Sequence, residues 1–155
     1  MVDQVIVICG EELANYGFPN RHPFGTDRYD VFMEELNNSH NESYFVRRPS
    51  RLATRVEIEQ FHTAEYVDRV VELSAIGSGF LDAGDTPAYP GVYEAAGHTV
   101  GGTLEALTAI MEGAIPRAFI PIGGLHHAAR NGAAGFCVFN DCSVAIEVAM
   151  NHYGL

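Results

Sequence analysis

The chain has 155 residues, the size of one domain, and 47% of them are hydrophobic, so it can bury a core of ordinary size. Nine Lys and Arg residues against 20 Asp and Glu residues give a formal net charge of -11. Such a charge argues against a surface that follows a phosphate backbone, so we expect no direct nucleic-acid partner.

The cysteines and the N-terminus indicate the compartment. Cys9, Cys137 and Cys142 follow no paired spacing, which favours reduced thiols over a disulfide framework or a zinc ribbon. The N-terminus has no basic region, and its apolar run from Val5 to Cys9 is too short for a signal peptide or a membrane span. We therefore predict a cytoplasmic protein with no membrane partner.

The first predicted element is a strand at Val5 to Cys9. This continuous β-branched run ends at Gly10 and is typical of a strand buried on both faces in a parallel sheet. Residues 11–25 are rich in Gly, Pro and Asn and predict a long ordered loop, a kind of segment that is often functional. Taken alone, His22 in this loop is best interpreted as a turn residue before a proline.

A helix is predicted after Thr26, which is a suitable N-cap. Its apolar stripe, with the spacing i, i+3, i+4 and i+7, consists of Tyr29, Phe32, Met33 and Leu36. Arg28 lies in the first turn, where the helix dipole disfavours a cation. Arg28 is therefore either a solvated side chain, the usual case, or one with a partner elsewhere in the fold.

The middle of the chain alternates short elements with loops. Residues 44–46 predict a short extended segment, after which Arg47 and Arg48 form a solvated edge. Residues 56–61 predict a turn or two of helix, and Thr63 caps a longer helix. His62, between them, is interpreted as structural.

A loop is predicted from Gly77 to Pro90, and its only charged residues are Asp82 and Asp85. A carboxylate in a glycine-rich loop usually forms a turn. The longest helix follows, from Gly91 to Glu112. Gly97, Gly101 and Gly102 weaken this helix by roughly 1 kcal/mol each relative to alanine, which makes sense if another backbone packs closely against that face.

A second strand is predicted at Arg117 to Ile122, and it delivers the run Gly123-Gly124-Leu125-His126-His127-Ala128. In open α/β sheets, ligands bind where strands end in loops. Two imidazoles can supply one base and one partner that stays protonated, provided that their surroundings differ. The alternative is a pair of loop histidines satisfied by backbone groups, because adjacent residues on a strand point to opposite faces.

The last predicted helix is capped by Asn140 or Asp141, and Gly154 is placed as its C′ residue. A helix that follows a parallel strand normally crosses over to another strand, but only two convincing strands are present. We therefore expect residues 1–155 to be the N-terminal part of a single domain in a longer protein. Two buried-type strands separated by helices predict an α/β fold with a parallel sheet.

Several segments spread along almost the whole chain form one further pattern. They are Gly123-Gly124-Leu125-His126-His127-Ala128, Gly135-Phe136-Cys137, Asn140-Asp141, His22-Pro23-Phe24 with Arg28, Phe61-His62-Thr63 with Tyr66, Gly84-Asp85-Thr86-Pro87, and Gly101-Gly102-Thr103-Leu104. Together they resemble the histone deacetylase family, in particular its bacterial acetoin-utilisation (AcuC-like) branch. The resemblance implies a three-layer α/β/α fold of the arginase/deacetylase type, truncated after the first portion of the domain.

The resemblance also implies a zinc-dependent deacetylase that hydrolyses acetyl-lysine in proteins or a related small acetylated amine. His127 would be the general base that takes a proton from the metal-activated water. His126 would be held charged or hydrogen-bonded and would steady the transition state. In the arginase group, which shares the fold, this double-histidine pattern is not the metal motif.

Further positions match substrate contacts of the family. Gly135 and Phe136 match the tunnel wall, where an aromatic face packs the apolar stem of an acetyl-lysine. Asp85 matches a rim residue that accepts hydrogen bonds from the substrate backbone, so both this interpretation and the turn-forming one stay open. Arg28 matches an arginine that lines an internal channel for acetate release.

The family's metal ligands, two aspartates and a histidine, and its catalytic tyrosine fall beyond Leu155. We therefore expect no metal ligand among residues 1–155 and no zinc bound at the family site in this chain. The alternative function is a non-catalytic binding or assembly module that keeps the fold but lacks the metal centre. We also expect self-association through an open sheet edge.

Overall fold

A parallel sheet with the strand order β2-β1-β3 forms the centre of the fold in the computed structural model, which describes residues 4–113 and 115–155. The strands are β1 Val5–Cys9, β2 Phe45–Pro49 and β3 Ala118–Phe119. Ile6 of the central strand pairs with Val46 on one side and with Ala118 on the other. The first strand is thus confirmed with its predicted bounds. The bounds of β2 and β3 differ from those predicted.

The expectation of only two convincing strands was wrong. All five residues of β1 pair with β2, whose run continues through Arg47 and Arg48, the residues interpreted as a solvated edge. The arginines are compatible with a strand because β2 lies at the edge of the sheet among the described residues, where charged side chains reach solvent. Arg47 donates a hydrogen bond to Asn37 Oδ1 at 2.6 Å.

The strand predicted at 117–122 is present but short, since only Ala118 and Phe119 keep strand geometry. Pro121 has no N–H to donate to a ladder, so the chain leaves the sheet before it. This early departure turns residues 120–128 into a loop above the end of the sheet.

Helices surround the sheet. They are α1 Arg28–Asn38, α2 Arg55–Ile58, α3 Ala64–Ile76, α4 Val92–Met111 and α5 Asp141–Val148, with 3₁₀ turns at Glu11–Asn15 and Glu42–Tyr44 and a π turn at Ala149–Tyr153. Thr63 caps α3, as predicted, by accepting from the Tyr66 N–H. For α1 the N-cap is Asp27 rather than Thr26, and it makes no side-chain capping bond.

The two faces of the sheet carry different helices. Ile8 faces α4, where a β-carbon on Gly102 would lie 3.1 Å from Ile8 Cγ2. Phe119 pairs in register with Val7 and stacks on Phe32 of α1, with ring centroids 5.1 Å apart. Because successive residues of a strand point to opposite faces, α4 and α1 cover opposite sides, which gives the predicted α/β/α layering.

The glycine face of α4 packs against backbone, as its composition predicts. A β-carbon on Gly101 would lie 1.9 Å from the carbonyl oxygen of Arg51. The Ala53 N–H donates to the Gly97 carbonyl at 3.0 Å. The segment between β2 and α2 therefore crosses α4 at backbone distance.

No helix within the two described ranges is both long enough and apolar enough to span a bilayer.

Candidate active site

The two adjacent histidines lie in a turn above the end of β3, and both are exposed. The ring centroids of His126 and His127 are 4.4 Å apart, at an interplanar angle of 40°. The rule that neighbours point to opposite faces holds for strands and does not apply to this turn. The fold therefore brings two imidazoles together at the edge where ligands bind in open α/β sheets.

His126 is oriented by the backbone of its own loop. Its Nδ1 lies 3.0 Å from the Gly124 carbonyl oxygen, which also accepts from the His126 N–H at 2.9 Å. A carbonyl only accepts, so Nδ1 carries the proton and Nε2 is the nitrogen left for other contacts. The ring is thus hydrogen-bonded on one side and open on the other.

His127 lies against a glycine that leaves little room for a side chain. A β-carbon built on Gly135 would be 3.1 Å from His127 Cγ. Gly135 also has a φ of +54°, a left-handed conformation that disfavours side chains. The structure thus places Gly135, a predicted tunnel-wall residue, in contact with the predicted base.

The start of α5 forms the floor of the histidine loop. Asn140 Nδ2 donates to the carbonyl oxygens of His126 at 3.1 Å and Ala128 at 2.8 Å. Its Oδ1 caps the helix by accepting from the Ser143 N–H at 2.9 Å. One carboxamide therefore satisfies both the helix end and the loop.

Asp141 complements Asn140, because it accepts where Asn140 donates. Its carboxylate accepts from the N–H of Leu125 at 2.7 Å, the N–H of Gly124 at 3.0 Å and the hydroxyl of Thr103 at 2.7 Å. The side chain is 1% exposed, so these bonds replace its hydration. From the sequence, Asn140 and Asp141 were assigned only a capping role. A helix needs one capping residue, so the second polar residue of the pair was the signal that these side chains also bind another segment.

His62 is buried and contacts the start of α5, in line with its predicted structural role. Its Nε2 accepts from the Asn140 N–H at 2.9 Å, and its Nδ1 lies 3.2 Å from the Arg130 carbonyl. The ring is therefore the neutral Nδ1–H tautomer. Burial lowers the pKa of His62 to about 4, because the charged form would be desolvated.

Phe136 is held in an unusual backbone conformation, with a φ of +69°. Its N–H donates to Thr86 Oγ1 at 3.2 Å, and its carbonyl accepts from the Tyr16 hydroxyl at 2.7 Å. The ring contacts His22 edge-on, with centroids 4.5 Å apart. Strained non-glycine residues persist only where their surroundings fix them, as these three contacts do.

Asp82 organises the loop that carries Asp85. Its Oδ1 accepts from the N–H groups of Gly84, Asp85 and Thr86, and its Oδ2 accepts from the Thr86 hydroxyl at 2.6 Å. Burial opposes ionisation of Asp82, but its side-chain and backbone hydrogen bonds outweigh burial and lower its pKa. Asp82 is thus the turn-former of this loop.

Asp85 is exposed, and its backbone carbonyl lies 3.0 Å from His22 Nε2. The neighbouring Asp82 carboxylate raises the pKa of Asp85. Asp85 and Gly135 line one open cavity of about 450 Å³, together with Asp82, Ala83, Gly84, Ala133 and Ala134. Asp85, a predicted rim residue, and Gly135, a predicted wall residue, therefore border the same depression, whereas Phe136, His126 and His127 do not line it.

Arg28 lies apart from this depression. Its guanidinium carbon sits 4.6 Å from the centre of the Phe24 ring, a cation–π contact that provides a partner within the fold. Arg28 lines a separate cavity of about 510 Å³ with Phe32 and Pro121, among other residues. Pro121 precedes the histidine loop, so this cavity lies beside the base of the loop; its role as a channel stays a prediction.

The residues around the imidazoles do not make a zinc site by themselves. Within residues 4–113 and 115–155, no group of three or more His, Cys, Asp or Glu side chains is arranged to hold a metal ion. A catalytic zinc takes about three protein ligands. His126 moreover directs Nδ1 to Gly124, and Asp141 is saturated by backbone and hydroxyl donors.

Comparisons with known proteins place this geometry in a family. Residues 22–155 match the family described as the histone deacetylase domain. The chain is 34% identical over 158 residues to the acetoin utilization protein AcuC of Bacillus subtilis (strain 168), covering 96% of this chain and 40% of the relative. It is 31% identical over 150 residues to the histone deacetylase RPD3 of Saccharomyces cerevisiae, covering 92% of this chain and 35% of that relative.

A solved structure shows the same fold. The HDA15 HD domain superposes with a TM-score of 0.85 at 26% sequence identity, covering 95% of this chain and 43% of that structure's chain. The chain thus spans about 40% of the length of the AcuC relative.

Proposed function

Because the chain belongs to the histone deacetylase family, we propose that it supplies the imidazole pair of a zinc-dependent deacetylase. The substrate is acetyl-lysine in a protein or a small acetylated amine. The observation that carries this proposal is the pair of exposed rings of His126 and His127, 4.4 Å apart at the end of a parallel strand.

In this proposal His127 is the general base. Water attacks the acetamide carbonyl, a carbon–oxygen bond forms, and a proton of the water passes to the imidazole of His127. The carbon–nitrogen bond then breaks as the amine nitrogen takes this proton from the His127 imidazolium, which gives acetate and the free amine. His126 keeps one proton on Nδ1, bound to the Gly124 carbonyl, and with a second proton on Nε2 the imidazolium would donate to the carbonyl oxygen and steady its developing negative charge.

The depression lined by Asp85 and Gly135 supports the substrate part of the proposal, because Gly135 lies next to His127. Gly135 and Phe136 would wall the acyl-lysine stem, and the absence of a side chain at Gly135 leaves His127 accessible from that wall. Asp85, exposed on the rim, would accept hydrogen bonds from the substrate backbone. Arg28 would favour the departing acetate, since a guanidinium binds a carboxylate well.

The zinc of the proposed enzyme would take its ligands from residues outside this chain, since the described residues do not fit a zinc site. We accordingly assign the chain acid–base and positioning work only. The cytoplasmic location and the absence of nucleic-acid and membrane partners stay predictions of the sequence.

The test compares this chain with a chain extended through its native downstream reading frame. Both are assayed on an acetyl-lysine peptide, and both are analysed for metal. We expect turnover and about one zinc in the extended chain only. Water has a pKa of about 15.7 in bulk and about 7 on zinc, a difference that two imidazoles do not recover.

His127→Ala in the extended chain should lower kcat by roughly 10²-fold or more, the usual contribution of a general base. The matched control is His152→Ala, which removes an exposed histidine from the π turn and should leave kcat unchanged. Stoichiometric zinc and turnover in the 155-residue chain, abolished by His127→Ala, would mean that the metal ligands are wrongly assigned. A zinc-free, inactive extended chain would favour the non-catalytic binding module.

A further inference from the structure

We propose that Asn140 is a positioning residue for the imidazole pair, and that this task is separate from its helix-capping task. In its catalytic consequence the proposal rests on the proposed deacetylase function. Its structural content, that the carboxamide of Asn140 fixes how His126 and His127 face each other, stands independently.

The carboxamide of Asn140 uses its acceptor and its donors for different partners. A primary amide has two N–H donors and one carbonyl acceptor. The acceptor serves the Ser143 N–H of α5, and the amide nitrogen reaches the carbonyl oxygens of His126 and Ala128. The capping bond thus uses only the oxygen, and the donors are directed entirely to the histidine loop.

The two carbonyls that accept from Asn140 flank His127. The His126 carbonyl belongs to the peptide bond between His126 and His127. The Ala128 carbonyl belongs to the peptide bond that follows Ala128. Holding both fixes the backbone on either side of His127. Because the backbone angles determine which side-chain rotamers are allowed, this also fixes the direction of the ring.

Asn140 is itself held in place by His62. Its own N–H donates to His62 Nε2, while His62 Nδ1 donates to the Arg130 carbonyl. Arg130 is two residues beyond Ala128, so these hydrogen bonds form a closed circuit. The circuit runs from Asn140 to the loop, along the backbone to Arg130, and through His62 back to Asn140. The Thr63 N–H donates to the same Arg130 carbonyl at 2.9 Å and ties this circuit to the start of α3.

Among good helix-capping residues, asparagine is the one that suits this position. Serine and aspartate cap a helix about as well as asparagine. Neither can donate to two carbonyls, and an aspartate would point a carboxylate oxygen at them. Asp141 next to it shows the opposite requirement, since the donors that reach it demand a carboxylate. The pair therefore matches the loop, with donors at 140 and acceptors at 141.

The test uses Asn140→Ser, which keeps a neutral helix cap and removes the amide donors. The matched control is Thr54→Ala, which removes the cap of α2; the Thr54 side chain hydrogen-bonds to Glu57 and not to the histidine loop. In the 155-residue chain we record nuclear Overhauser effects between the His126 and His127 rings, and in the extended chain we measure kcat and KM. Thermal unfolding of both variants provides the stability reference.

We expect Asn140→Ser to lose the nuclear Overhauser effect between the two imidazole rings. It should also lower kcat on the order of 10²-fold and change KM by less than about twofold, as for a misplaced catalytic group. Thr54→Ala should lower the melting temperature by the loss of a helix cap alone and change neither readout. If Asn140→Ser does not fold, Asn140→Asp, whose cap is favoured by the helix dipole, gives the same ring measurement.

An intact ring-to-ring effect, or kcat within twofold of Thr54→Ala, would overturn the proposal. Failure of the proposed function can be told apart from failure of the Asn140 proposal. An extended wild-type chain without any deacetylase activity refutes the function. The ring measurement on the 155-residue chain would still decide the role of Asn140.

Discussion

At the scale of single residues, burial of His62 makes folding stability depend on pH between about 4 and 6.5. Its pKa is about 4 in the folded chain against 6.5 when unperturbed, so the unfolded chain binds more protons between these values. The contribution of His62 to the free energy of unfolding should be fully present above pH 6.5. It should fall by about 3 kcal/mol as the pH drops through 4. Chemical denaturation at pH 7 and at pH 4.5 measures this slope.

His62→Gln should flatten the slope, because glutamine does not titrate. His152→Gln, at an exposed histidine, should leave it unchanged. A variant at position 62 with the wild-type slope would assign the acid sensitivity to other groups.

Phe136 is the residue where local strain can be measured. Its φ of +69° costs roughly 1–2 kcal/mol for any residue with a β-carbon and nothing for glycine. We therefore expect Phe136→Gly to be more stable than Phe136→Ala by about 1 kcal/mol in urea unfolding, although both lose the same ring. Equal stabilities, or a more stable alanine variant, would show that the conformation relaxes on substitution.

At the scale of elements, the crossing of α4 by the segment after β2 depends on Gly101. Alanine gains about 1 kcal/mol of helix propensity over glycine, but here its β-carbon would overlap the Arg51 carbonyl. We expect Gly101→Ala to lower the free energy of unfolding by roughly 1–3 kcal/mol, the range for overpacking.

Gly132→Ala is the control for Gly101→Ala, since a β-carbon there meets nothing within 4 Å. A stabilised Gly101→Ala variant would mean that the two backbones separate without loss.

At the scale of the whole molecule, the two outer strands differ. β2 carries Arg47 and Arg48, whereas β3 carries Phe119, which is 47% exposed, and Val31 of the adjacent α1 is 60% exposed. An unprotected edge beside apolar side chains favours pairing with another chain. Light scattering should therefore show a mass that grows with concentration.

Phe119→Lys should reduce this growth, because a charged side chain opposes edge pairing. Val56→Lys, at a residue 69% exposed on α2, is the control and should not reduce it. A monomer over a wide concentration range would contradict the prediction.

The sequence by itself determined the elements whose signals are local. The apolar run of β1, the Thr63 cap and the small-residue face of α4 are each written in neighbouring residues. The same holds for the pair of histidines after a strand, which located the candidate site. Spacing and residue type suffice there because the forces involved act within a turn or a strand.

The tertiary structure alone decided what depends on distant partners. β2 is short, half-exposed and rich in arginine, and it is a strand only because β1 lies beside it. Asn140 and Asp141 look like an ordinary helix cap until the loop at 124–128 folds back onto them. Hydrogen bonds between segments far apart in sequence leave no periodic signal, because each donor and acceptor is common and only their meeting in space is specific.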